Sequence, residues 1–246
     1  MAPIAALYDV HGNLPALDAA LAAAEAAGAR EIIVGGDVVL GPMPREALER
    51  LQALGPRARF LRGNCDRLVV SAFDGEPLDR MPARLRGPVE WTAAQLDRSH
   101  RDFLAALPTT LTAEAPGLGE VLFCHATPRN DEEIFTVRSP DERVRPMLAG
   151  VTQSVVVCGH THMQFDRRVG DVRVLNAGSV GMPYGRRGAH WLLLDDDARH
   201  QRTDYDYDAA AARVRATAYP NAEDFASRSV LDPQSEEEIL ALFERS

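Results

Sequence analysis

The chain has 246 residues, of which 46% are apolar and 26% charged; it carries a formal net charge of −9 and contains no lysine. That balance suits a soluble globular fold burying a large core and argues against wholesale disorder. It also argues against stable nucleic-acid binding, which needs clustered basic groups and counterion release.

The opening MAPIAALYDVHGN has no basic leader, and Asp9 interrupts its apolar run, so it reads as neither signal peptide nor anchor. No later run approaches the length of a membrane span. Cys65, Cys124 and Cys158 are odd in number and form no CxxC pair, which argues against a disulfide framework. A cytoplasmic protein without membrane association is expected.

Short apolar runs bounded by Gly, Asp or Asn predict strands at 4–8, 31–34, 120–124, 154–158, 172–175 and 190–194. Between the first two, Leu14, Leu17 and Leu21 share one face of a helix that Gly28 would stop, and 45–55 repeats the pattern. This β-α-β-α-β opening, from Ile4 to about Leu61, implies parallel strands. The segment at about 67–108 is helical and polar without a strand signal, and it reads as a helical insertion within a single domain spanning 1–246. Capping boxes predict helices starting at Thr92, with Gln95, and at Ser139, with Glu142 and with Pro140 in the first helical position. At the C-terminus, a helix at about 233–245 would pack through Ile239, Leu242 and Phe243.

The chemistry-bearing residues cluster at the ends of these strands. The first strand runs into Asp9-Val10-His11, the second into Gly35-Gly36-Asp37, and the stretch near Arg62 into Gly63-Asn64-Cys65-Asp66. Two later strands end in His125 and in Gly159-His160-Thr161-His162. Ligands of open α/β sheets gather at the carboxyl ends of strands, so these side chains could converge on one cleft. On an extended strand, residues two apart project the same way about 6.6 Å from one another, so His160 and His162 could each serve one of two metal ions about 3.5–4 Å apart. Carboxylate and amide oxygens mixed with imidazoles suit Mn, Fe or Zn better than Ca.

The scattered signature DxH, GGD, GNx(D/E), H and GHTH, in this order from Asp9 to His162, resembles the calcineurin-like metallophosphoesterases. NAGSVGMP (176–183) is similar to a turn of their small prokaryotic phosphodiesterase branch. The resemblance implies an α/β fold, a four-layer αββα sandwich with two mixed β-sheets face to face and helices outside. It implies that Asp9, His11 and His162 hold one divalent ion, that Asn64, His125 and His160 hold a second, and that Asp37 bridges the two. Manganese is the first expectation, with Fe, Zn, Ni or Co as the other candidates. Catalytic roles are expected of Asp37, Asn64, Asp66 and His125. Two divalent ions would outweigh two carboxylates and draw phosphate to an acidic protein. They would also bring the pKa of a shared water toward about 7, supplying hydroxide to attack phosphorus.

Many members of the family carry histidine after the asparagine, whereas this chain has Cys65, a weak donor. Slow turnover of esters with poor leaving groups is expected unless another group donates the proton. Asp66, which would orient that histidine, is expected to bond nearby backbone. Strand alternation turns Cys124 into the core if His125 faces the cleft, which weakens a thiolate-zinc reading. Arg186 and Arg187 could clamp a substrate phosphate, with Asn64 as a further contact, although surface solvation is the competing reading. His100 reads as a polar helix residue, His200 as surface, and His190 as core or edge. The expected activity is hydrolysis of phosphodiester bonds in small nucleotides or similar esters. The alternatives are a phosphomonoesterase, a protein phosphatase, a dinucleoside polyphosphate hydrolase or a non-catalytic scaffold of the same fold.

Overall fold

The N-terminal strand β1 (Ile4–Leu7) feeds α1 (Leu14–Ala26), β2 (Glu31–Val34), α2 (Pro44–Gln52) and β3 (Ala58–Phe60). This computed structural model describes residues 2–79, 81 and 83–244. Asn13 starts α1 by accepting the Ala16 amide, and Gly28 ends it with φ of 83°. The crossover helices make β1, β2 and β3 parallel.

Three helices follow: α3 (Asn64–Phe73), α4 (Ala83–Gln95) and α5 (Arg98–Ala105). The hairpin β4 (Thr110–Ala115) and β5 (Gly119–Cys124) opens a second sheet. After a short α6 (Asp141–Val144) come β6 (Val155–Cys158), β7 (Phe165–Val169) and β8 (Val172–Asn176). β9 (Ala189–Leu194) and β10 (Ala198–Thr203) return to the first sheet. The chain ends in α7 (Tyr207–Arg215), α8 (Ala222–Phe225), which continues as wider turns over Ala226–Leu231, and α9 (Glu236–Phe243).

The two mixed sheets have strand orders β10-β9-β1-β2-β3 and β4-β5-β6-β8-β7. Period-two alternation assigns each strand's residues to layers. Ile4, Ala6 and Tyr8 meet Val121, Phe123, Val155 and Val157 between the sheets. Ala5 and Leu7 instead face helix residues such as Leu17, Leu48 and Val214. Cys124, Val156 and Cys158 pack outward on Val144, Met147 and Leu148. The architecture is the four-layer αββα sandwich, with Cys124 and Cys158 in a core and all three cysteines unpaired. Among the described residues, no helix is long and apolar enough to cross a membrane.

Several local expectations are corrected. Thr92 and Gln95 fall in the last turn of α4; the next helix, α5, is capped by Asp97, which accepts the Ser99 and His100 amides while the His100 ring returns to the Asp97 amide. The His100 ring is buried by this role. Ser139 closes a turn onto the Thr136 amide, and Pro140 stands at the cap of α6 instead of in its first turn. In α9 it is Leu240 that joins Ile239 in the core, while Leu242 is exposed; residue 245, the expected end of that helix, lies outside the described residues. His200 is half-buried, its ring nitrogen against the Asn176 carbonyl at 2.9 Å. β4, β7 and β10 had no clear apolar run to announce them, being antiparallel strands that mix exposed arginine, glutamate and threonine with a few buried positions.

Candidate metal centre

The residues just past β1, β2, β5 and β6, together with the first residue of α3, meet at one edge of the sandwich. Five of them, Asp9, His11, Asp37, His160 and His162, have φ between 46° and 67°. Non-glycine side chains rarely adopt this left-handed region, and such strain clusters where the surrounding structure holds a functional geometry. It also replaces the strand reading of the two C-terminal histidines. His160 and His162 lie beyond β6 in turn conformations, and their rings diverge to different partners.

Asp9 Oδ1 lies 3.3 Å from His162 Nε2, 3.9 Å from His125 Nε2 and 4.0 Å from His11 Nε2. Asp37 Oδ2 lies 3.5 Å from His125 Nε2 and 3.8 Å from His11 Nε2. Asn64 Oδ1 is 3.0 Å from His125 Nε2, and the His125 and His160 rings meet edge to face at 5.1 Å. Asp9, His11 and His162 offer ligand atoms within 4.8 Å of one another, as do Asp37, His125 and His160. Asp37 therefore sits between the two groups.

Backbone carbonyls aim these rings. His11, His125 and His162 each donate Nδ1–H to a carbonyl, of Leu40, Gly35 and Met182 respectively, at 2.8–3.0 Å. A carbonyl can only accept, so each Nε2 is the nitrogen turned to the centre, as an outer partner does for a metal-ligating imidazole. His11 Nε2 and His162 Nε2 face each other at 3.2 Å. Apart from the close approach of His162 Nε2, the buried Asp9 Oδ1 has no hydrogen-bond partner among the described residues. A buried carboxylate oxygen so placed among inward-facing nitrogens fits a cation, and the mixed nitrogen and oxygen donors fit a first-row divalent metal.

The protein alone balances the same charges with protons. Burial works to raise both carboxylates, but His162 beside Asp9 and His125 beside Asp37 hold them below their ordinary range. Burial also works against imidazolium; it lowers His11 and takes His160 down to about 4. At His125 burial is overcome by Asp37, which lifts the ring to about 10, and at His162 by Asp9.

Glycines admit the carboxylates. A Cβ on Gly63 would lie 2.1 Å from Asp37 Oδ1, and one on Gly159 would lie 2.5 Å from Asp9 Oδ2. Asp9 Oδ2 accepts the His160 amide, and Asp37 Oδ1 accepts the Cys65 amide. Asp66 is fully buried and does not face the cleft. Its carboxylate accepts the amides of Asp37, Val38, Val39 and Gly63 at 2.8–3.3 Å, the bonding to nearby backbone expected of it, and so holds the Asp37 loop. Burial and the Asp37 charge push Asp66 up to about 6, against the amides of Gly63 and Val38, which favour its ionised form.

The turn after β8 ties the strand ends together. The Asn176 amide donates to the Gly159 carbonyl, Ser179 donates to the Asp9 carbonyl, and Tyr184 stacks on His162 at 5.7 Å. These supports had one signal in the sequence, the NAGSVGMP stretch. Arg186 and Arg187 are exposed and do not line the cleft; Arg187 lies over the Tyr207 ring at 4.3 Å. Arg84 lines the cleft, while Arg62, whose buried Nε has no hydrogen-bond partner among the described residues, lines a second pocket beside His125 together with Arg67 and Arg129.

Cys65 lines the cleft, with its sulfur 3.7 Å from Asn64 Nδ2 and within ligand range of His11 and Asp37. Burial and the Asp37 carboxylate push its thiol well above the ordinary range, so it stays neutral. Cys65→Ser should accordingly keep its full complement of metal by elemental analysis; a halved content would make the sulfur a ligand.

Residues 3–199 match the sequence profile of the calcineurin-like phosphoesterase superfamily domain. Phosphodiesterase YfcE of Escherichia coli K12 is 27% identical over 199 residues, covering 77% of this chain and 85% of its own. A metallophosphoesterase from Sphaerobacter thermophilus superposes with a TM-score of 0.72 at 25% identity, over 92% of this chain and 97% of that one. Hypothetical protein PH1004 from Pyrococcus horikoshii OT3 shares the fold with a TM-score of 0.80 at 22% identity, over 96% of this chain and 100% of that one. The convergent aspartates and histidines, the double-sheet sandwich and the profile match together show that the chain belongs to the calcineurin-like phosphoesterase superfamily, whose members are metal-dependent hydrolases of phosphoric esters.

Proposed function

We propose that the protein is a dinuclear metal-dependent phosphodiesterase acting on small nucleotides or similar esters in the cytoplasm. The observation that carries this reading is the meeting of seven side chains, from five separate places in the chain, around two donor groups, with Asp37 in one of them and 3.8 Å from His11 of the other. The similarity to YfcE supports the preference for diesters, and the three free cysteines support the compartment.

Asp9, His11 and His162 would hold one ion, and Asn64, His125 and His160 the other, with Asp37 serving both. Two such ions, Mn²⁺ foremost, supply Lewis acidity that lowers the pKa of water and neutralises charge on phosphate. The chain's own part is preorganisation. The carbonyls of Leu40, Gly35 and Met182 lock three imidazoles in one tautomer, and Asp66 fixes the loop that presents Asp37. The Asn64 amide, at the first turn of α3, stands on the cleft floor, where its Nδ2 can donate to a phosphate oxygen. The neutral Cys65 thiol beside it adds only a weak donor.

Purified protein should contain about two equivalents of divalent metal and hydrolyse bis-p-nitrophenyl phosphate faster than p-nitrophenyl phosphate, with activity lost to chelator and restored by Mn²⁺. Activity that persists after complete metal removal would refute the reading. A preference for the monoester would move the assignment to phosphomonoesterase.

The imidazoles add a pH dependence. The folded pKa of His125 lies above its unfolded value, so in the metal-free protein its stabilisation is complete below about 6.5 and lost as pH rises through about 10. Cations compete with the protons on His125 and His162, so metal affinity should climb with pH. Binding near pH 7 should release protons. Calorimetry in two buffers of different ionisation enthalpy measures this; no release would show that the histidines are already neutral.

A further inference from the structure

The cleft over the metal centre has a volume of about 330 Å³, much more than a phosphate group occupies and at the lower edge of the usual small-molecule site. Its floor is polar, but one wall is contributed by Tyr219, Asn221 and Phe225, all past residue 199, where the family match ends. Leu85 of α4 lines the cleft as well. The aromatic wall is rigid. Tyr219 meets Trp91 edge-on at 5.3 Å and Phe225 edge-on at 6.2 Å, and both Tyr219 and Phe225 are largely buried. The Asn221 side chain is exposed at the rim, and no other side chain engages its amide among the described residues.

An ester group that fills this space must cover apolar and aromatic surface and also satisfy an amide that both donates and accepts. A simple alkyl group meets only the first requirement; a second phosphate could pair with Arg84 of the cleft but would leave the apolar and aromatic surface uncovered and offer the Asn221 carbonyl no donor. A flat heterocycle with a hydrogen-bonding edge meets both.

We propose that the C-terminal segment adds a nucleobase subsite to the metal centre, in which Tyr219, Phe225 and Leu85 hold the base and Asn221 reads its edge. The inference rests on the phosphodiesterase reading and names the substrate class, esters of nucleosides. Residues 219–225 then determine specificity without touching the reacting atoms.

The test compares adenosine 5′-monophosphate with ribose 5-phosphate, which lacks the base, as ligands of the Mn²⁺-loaded protein by calorimetry. Stacking of a base is worth about 1–3 kcal/mol, so the nucleotide should bind at least about fivefold tighter. Phe225 is too buried for a safe truncation, so the variants are Asn221→Ala and Leu85→Ala, on exposed and half-buried positions. Each should shrink the affinity ratio at least about threefold while the melting temperature stays that of the wild type. A wild-type ratio near one, undetectable binding of the nucleotide, or a ratio that both variants leave intact overturns the subsite. Chelator-sensitive hydrolysis of bis-p-nitrophenyl phosphate, measured on the same preparation, judges the phosphodiesterase reading separately.

Discussion

Asp37→Asn should lower kcat on bis-p-nitrophenyl phosphate by about 10³-fold, the upper end of what removing one charge-stabilising group costs. Asp37 stands between the two donor groups, with Oδ2 3.5 Å from His125 Nε2 and 3.8 Å from His11 Nε2. An amide keeps the size of the side chain and an oxygen for the Cys65 amide, so the fold should survive. The negative charge is lost, and with it the group that raises His125, so the protein should also hold less metal. Kinetics with added Mn²⁺, beside metal analysis and a thermal melt, separate these effects. A variant within tenfold of wild type at saturating metal would remove Asp37 from its bridging place.

Asp66→Ala should cost about 3–5 kcal/mol of stability, although this residue touches no substrate. Its carboxylate is the acceptor for four buried amides, and each amide left without a partner costs about 1–3 kcal/mol before water or backbone movement recovers part of it. The same amides belong to the loop that holds Asp37 at φ of 53°, so relaxation of the loop should weaken metal binding by about 10–100-fold. Asp66→Asn keeps one acceptor oxygen but turns donors toward donors, and it should lose less stability than the alanine variant. Urea titrations of the metal-free proteins give the ordering; a loss below about 1 kcal/mol for alanine would mean that the loop is held by other contacts.

Much of the centre was legible because its chemistry is concentrated at strand ends. In a parallel α/β segment the buried strand must be apolar, so a charged or imidazole residue marks where the strand stops. Asp9, Asp37 and His125 stand at such points. The local mechanism was less accessible. His160 and His162 looked like neighbours on a strand, and their left-handed backbone, with the His160 amide on the Asp9 carboxylate and the His162 ring on the Met182 carbonyl, could not be read from spacing. Thr92 looked like a helix start because the capping pattern is local, whereas α4 had already begun nine residues earlier and buries that hydroxyl.

By itself the amino-acid order determined the buried strands and the set of side chains able to bind metal, because periodicity and residue chemistry are properties of short segments, while the four layers were implied only by the family resemblance. Tertiary structure alone decided which nitrogen of each histidine turns inward, which four amides Asp66 serves, that Arg186 and Arg187 stay outside, and that Tyr219, Asn221 and Phe225 wall the cleft. The histidine orientations depend on contacts between separate segments, such as His125 with the Gly35 carbonyl 90 residues away, whose pairing no local pattern encodes.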